Sequence, residues 1–192
     1  EIGELGAALA GHVRVGVLPT LARFLLPAAT HEFLSGAPKV TIGAVVAQNN
    51  VLASQLRAGD LDFILSTAAP TDERLERHKV CEDNAVVIAS RKHPVLRRRK
   101  VRIADLLDYR WVLAPEEVGT RAWLENEFRR RGLPAPTVQI ETNLILMMPA
   151  LIEETELLTF TSGRHVAPYA PGSLLREVPL RETTMRRHFE VV

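Results

Sequence analysis

The chain has 192 residues, with 24 Lys and Arg against 23 Asp and Glu, a net charge of +1 and a 46% hydrophobic share. That length can bury one sizeable core or two small ones, and the near balance of charge argues against a strong nucleic-acid grip by these residues. No run of about eighteen uncharged apolar residues is present, so nothing reads as a membrane span; the lone Cys81 cannot pair internally and fits a reducing compartment.

Residues 1–10 lack the basic start and long apolar stretch of a signal peptide. HVRVGVLP (12–19) alternates and ends in proline, which predicts a strand. A helix is expected from Thr20 to about Ser35, either kinked at Pro27 or split by a second start there, and stopped by Gly36 and Pro38. KVTIGAVV (39–46) reads as a strand, followed by a helix capped by Asn49 or Asn50 and ended by Gly59. DFILST (62–67) fits a buried parallel strand. Strand, helix, strand, helix, strand with short joins is the grammar of parallel α/β structure.

Residues 71–78 are a polar connector, and VCEDNAVVIAS (80–90) is a strand long enough to cross between two lobes. The basic cluster of Arg91, Lys92 and 97–100 reads as a solvated loop. After a short helix at 101–108 a second unit begins: a strand at 110–115, a helix at 119–132 with Glu125/Arg129 and Glu127/Arg131 at i,i+4 spacing, and a strand at 137–142. A helix over 143–155 should kink at Pro149. Strands are expected at 156–163, 173–180 and 185–192.

Ligands of parallel α/β sheets bind beyond the carboxyl ends of the strands. Thr20, Asn49, Thr67, Gly119, Thr120, Arg121, Thr142 and Asn143 fall at such ends, and Ser, Thr and Asn there serve either as helix caps or as ligand contacts. Arg121 is out of place in a helix's first turn, which already carries positive charge. It either pairs with Glu125 one turn on or meets an anion from outside. Enzyme readings find little support. The six His show no metal-ligand spacing, no nucleophile elbow or phosphate loop appears, and the pairs Glu116–Glu117 and Glu153–Glu154 do not share a helix face. Trp111 and Trp123 are expected in the core or at the lobe interface, and Met147 and Met148 in the core.

Several pieces stand in a recognisable order: HVRVGVLPTLARFLLPAATHEFLSGAPKVTI, LRAGDLDFILS, SRKHPVL and DLLDYRWVLAPEEVGTRAWLENEFRRRGLP. From Gly11 to Val192 the chain resembles the effector-binding domain of LysR-type transcriptional regulators. The resemblance implies a type II periplasmic-binding-protein fold: two α/β lobes joined by two crossover strands, with a small effector in the cleft between them. It implies residues 1–10 as the end of a linker helix, lobe I at 11–88 and 162–192, and lobe II at 89–161. It also implies a cytoplasmic regulator, dimeric or tetrameric, that meets DNA through a winged helix-turn-helix preceding this domain. No cofactor, metal or membrane is expected. Carried over to this sequence, effector contacts fall at Thr20, Asn49, Gly119 and Thr120, with Thr67, Thr142 and Thr161 on the hinge side. Arg121 is added on charge grounds, for a carboxylate or sugar acid. The stretch Glu153–Glu156 departs from the glycine-rich turn usual in the family. A solute-binding protein of a transporter shares the fold and is one other reading; a small lobe-closing transferase is the second, and it would need a general acid or base in the cleft that the sequence does not display.

Overall fold

The computed structural model of the chain describes residues 10–67, 73–166 and 172–192. The expected end of a linker helix at 1–10 lies outside them but for Ala10, which opens a strand. Strands are β1 (Ala10–Val17), β2 (Lys39–Val46), β3 (Phe63–Ser66), β4 (His78–Ser90), β5 (Arg110–Leu113), β6 (Thr137–Glu141), β7 (Thr159–Ser162), β8 (Leu175–Glu177) and β9 (Met185–Val191). Helices are α1 (Pro19–Phe24), α2 (Leu26–Gly36), α3 (Asn49–Ala58), α4 (Gly119–Arg129) and α5 (Met148–Glu153). None of the described helices is long and apolar enough to cross a membrane.

Both interior prolines break their helices outright. Proline has no N–H to donate, and its ring collides with the preceding turn, so it is tolerated only in a first turn. The first helix accordingly ends at Phe24 and a new one starts at Leu26, placing Pro27 in its first turn. The expected single helix over 143–155 is likewise a 3-10 turn at Ile145–Met147 followed by α5, with Pro149 in the first turn of α5.

The chain divides into two compact units, Glu1–Cys81 with His188–Val192, and Glu82–Arg187. Strands β4 and β9 each pass from one unit to the other. These divisions differ from the expected ones at 88/89 and 161/162. The reason is that β4 beyond Glu82 pairs antiparallel with β7, from Ala85↔Ser162 to Ile88↔Thr159, and with β8. Its Ala85, Val87 and Ala89 pack in one cluster with Trp111, Leu124, Phe128 and Phe160.

In the first unit β1 lies parallel to β2 and to β3, and β9 joins β3 antiparallel at Leu65↔Val191 and Ser66↔Glu190. Val15, Val17, Leu21, Leu52, Ile64 and Phe189 form its core. Helix α2 contributes no buried residue. It stands over an apolar hollow of about 340 Å³ lined by Val13, Val15, Phe33, Ile42 and Phe63 among others. In the second unit β5 pairs parallel with β6, with an irregularity between Trp111 and Val112. Trp111 is fully buried and donates its indole N–H to Leu106 O at 3.3 Å. Trp123 stacks on Phe160. Met148 is buried, but Met147 is half exposed, against the expectation that both lie in the core.

Candidate functional site

The strand ends of the first unit are tied together by backbone bonds. Leu18 N donates to Leu65 O at 3.1 Å and Ala47 N to Val17 O at 3.3 Å. Thr20 is buried at the second position of α1, where the capping position is Leu18, so Thr20 is not a helix cap. Asn49 is not one either. Gln48 occupies the cap of α3 without a side-chain bond, and Asn49 is the first helical residue. Its Nδ2 instead donates to Thr67 Oγ1 at 3.1 Å. Asn49 Oδ1 and Ser66 Oγ are buried with no hydrogen-bond partner among the described residues. A buried polar atom without a protein partner is costly, and a water, an ion or a ligand can supply the missing bond.

In the second unit α4 starts at Gly119 after an extended Val118, with no side-chain cap and no acidic residue in its first turn. Thr120, half-buried, follows Gly119. An uncapped start of an eleven-residue helix presents amide N–H groups and the positive end of the helix dipole.

Arg121 does not add to that charge. Its side chain is 7% exposed and bound within the chain on three sides. Nε donates to Glu125 at 2.8 Å, Nη1 to Glu141 at 2.6 Å and to Ala114 O at 2.9 Å, and Nη2 to Glu116 at 3.2 Å. Burial draws the guanidinium's pKa down, but the bonds from Glu125 and Glu141 outweigh it, and the net shift is upward. The expectation that Arg121 meets an anion from outside is therefore corrected: three carboxylates already neutralise it. Its contacts join the end of β5 (Ala114), the first turn of α4 and the end of β6 (Glu141), so it fixes the loop in which Gly119 and Thr120 sit. Glu125 accordingly pairs backward with Arg121 rather than forward with Arg129, whereas Glu127 pairs with Arg131 at 2.8 Å as its spacing predicts.

Thr142 follows Glu141 and closes a local turn, its Oγ1 accepting from Leu144 N at 3.0 Å. Thr161 is buried on β7, opposite Val86. The acidic turn at 153–156 is closed by Thr155. Its hydroxyl donates to Leu151 O at 2.7 Å and accepts from Leu157 N at 3.3 Å, while Glu156 O accepts from the buried His93 at 3.0 Å. A threonine side chain thus does the work of the missing glycine turn.

Two features escaped the sequence reading. Glu141 gives no local signal as a partner of Arg121, because it lies twenty positions away and is brought near by the register of β5 and β6. Asp83 is buried and accepts from Ser162 Oγ at 2.7 Å and from Arg187 Nε at 2.8 Å, across separations of 79 and 104 residues that no motif displays. Among the described residues no group of His, Cys, Asp and Glu is arranged to hold a metal.

Comparison with known proteins places this geometry in context. The family model of the LysR substrate binding domain matches residues 6–192. The HTH-type transcriptional regulator GalR of Pseudomonas putida is 29% identical over 182 residues, which are 94% of this chain and 46% of that protein. The HTH-type transcriptional regulator GbpR of Rhizobium radiobacter is 27% identical over 161 residues, 82% of this chain and 53% of that protein. The chain thus spans about half the length of these curated relatives. Among solved structures, the Synechocystis CcmR regulatory domain in complex with 2-PG is similar, with a TM-score of 0.82 at 21% identity, covering 94% of this chain and 86% of that one. The effector binding domain of QuiR in complex with shikimate has a TM-score of 0.77 at 13% identity, covering 95% and 87%. These likenesses show the fold, the mixed α/β, periplasmic-binding-protein-like fold of LysR effector-binding domains.

Proposed function

The chain belongs to the LysR substrate binding domain family, a family of regulators rather than enzymes, and from that premise we propose that it senses a small anionic metabolite on behalf of a DNA-binding transcriptional regulator. The observation that carries the charge of the ligand is the bare start of α4, where no side chain and no acid occupies the amides of Gly119 and Thr120. With Arg121 withdrawn, a carboxylate is held by backbone dipoles and the Thr120 hydroxyl. The first unit supplies Thr20, Asn49 and Thr67, and the unpartnered Asn49 Oδ1 and Ser66 Oγ favour a ligand or bridging water that brings hydrogen-bond donors. Thr142 and Thr161 flank the site on the hinge side. Family membership implies a cleft between two lobes, and the effector is assigned to it.

In this reading the regulator works in the cytoplasm as a dimer or tetramer, and a helix-turn-helix elsewhere in the whole protein reads the bases. Effector binding biases the lobes between two arrangements, which requires different affinity for the two. The exposed apolar side chains Phe33, Leu34, Val45, Val46 and Val51, on α2, β2 and α3, support subunit pairing through that side of the first unit. The solved QuiR domain with shikimate supports hydroxylated carboxylic acids among the first ligands to try. A thermal-shift panel of hydroxy, aromatic and sugar acids tests the reading. A ligand at a hundred times its Kd adds about 2.7 kcal/mol of stability. A panel in which acids and their uncharged amides behave alike would refute an anion site.

A further inference from the structure

Residues 91–102, RKHPVLRRRKVR, hold seven of the chain's 24 Lys and Arg and none of its 23 Asp and Glu, so the rest of the chain carries 17 cations against 23 acids. The structure separates the seven into two kinds. Arg98 bonds Asp108 at 2.7 Å and lies 3.1 Å from Asp105, and Arg102 reaches the same Asp105 at 3.2 Å. The other five, Arg91, Lys92, Arg97, Arg99 and Lys100, are exposed and make no ion pair among the described residues.

The backbone beneath them is fixed. His93 is 2% exposed; its Nδ1 accepts from Val95 N at 3.1 Å and its ring packs edge-on against Tyr109. Arg91 N donates to Leu174 O at 2.7 Å, and Val95, Val101 and Ile103 are buried in the core. The apolar side chains of the loop therefore turn inward and the cations outward. Five like charges on a pinned loop repel one another, and nothing in the packing of the loop requires them. Every exposed side chain within residues 91–102 is a cation, so the loop itself presents no aromatic ring or apolar anchor of the kind that reading bases or gripping a protein surface would need. It offers point charges, which suit an evenly charged polymer.

We propose that this platform rests on the phosphate backbone of double-stranded DNA, adding a sequence-independent grip to the base reading done outside this chain. Five phosphate contacts give a slope of about −4.5 in log affinity against log salt, roughly a 500-fold loss for a fourfold rise in salt. The effector site and this platform are independent, so failure of one leaves the other standing.

The test is fluorescence anisotropy of a labelled random-sequence duplex of about 30 base pairs with this chain, at about 50 and 200 mM KCl, with polyglutamate as a second probe. The wild type is expected to bind the duplex at low salt with that slope. The triple variant Arg97→Gln, Arg99→Gln, Lys100→Gln is expected to lose roughly 2.7 from the slope while melting at the wild-type temperature, since its three side chains are exposed and unpaired. A wild type that ignores the duplex at low salt, or a triple variant with an unchanged slope, overturns the proposal. Tighter binding to polyglutamate than to DNA also overturns it and assigns the platform to an acidic protein.

Discussion

Replacing Arg121 with methionine separates a structural pin from a ligand contact. The substitution keeps an aliphatic stem and removes every bond of the guanidinium. Glu116 and Glu141 are 80% and 53% exposed, so solvent screens them, and each pair contributes about 0–1 kcal/mol. Glu125 is 19% exposed and loses a charged hydrogen bond, at about 1.5 kcal/mol or more. Ala114 O, bonded in a buried setting, loses its donor, for about 1–3 kcal/mol. Mutual repulsion of the three carboxylates acts in the same direction. The terms sum to about 4.5 kcal/mol, which for a chain of this size lowers the melting temperature by roughly 9–18 °C. Circular-dichroism melting with a urea titration measures it. A melting temperature within about 2 °C of wild type, together with lost affinity for an acidic ligand, would refute the reasoning and return Arg121 to the effector.

Three further outcomes follow from the packing. Burial holds the His93 pKa below its ordinary value, so the ring is neutral in the fold and takes up a proton more readily when unfolded. Stability is then full above about pH 6.5 and declines as pH falls toward the depressed folded value; urea midpoints across that window should show a decline that His93→Asn lacks. Asp83→Asn removes the charge that pairs with Arg187 inside the second unit, the two side chains being 2% and 11% exposed, and should cost about 3 kcal/mol in chemical unfolding. Gly16→Ala would set a methyl 2.6 Å from Leu61 Cδ1, 2.8 Å from Leu52 Cδ2 and 2.9 Å from Ile64 Cγ2; this overpacking should cost about 1–3 kcal/mol by the same assay.

Local rules account for much of what the sequence displayed. The helix that begins at Asn49 stops at Gly59 because glycine takes the left-handed turn, φ 77°, without a Cβ penalty. The strands of the first unit were legible because β1 alternates up to a proline while β2 and β3 are largely apolar stretches between punctuating residues. The proline breaks were visible as positions but not as outcomes: whether Pro27 and Pro149 kink a helix or restart it depends on which turn the tertiary packing keeps. Asn49 shows where local rules stop. Its sequence context reads as a helix cap, yet packing places Thr67 Oγ1 within reach and the side chain turns there instead. Arg121 shows the same limit more sharply. Glu125 was visible one helical turn away, but Glu141 arrives only through sheet register, and it is the combined set of acceptors that removes Arg121 from ligand binding.

Calorimetric titration of the wild type and of Gly119→Pro with whichever acid stabilises the chain tests the anion site most directly. Proline suits the first position of a helix, the extended Val118 (φ −80°, ψ 118°) accommodates a following proline, and no atom lies within 4 Å of an added Cβ. The variant thus deletes one amide donor and leaves α4 in place. The account predicts an unchanged melting temperature and an affinity weaker by about 10- to 150-fold, the worth of a hydrogen bond to a charged group. Equal affinity in the two proteins would contradict it.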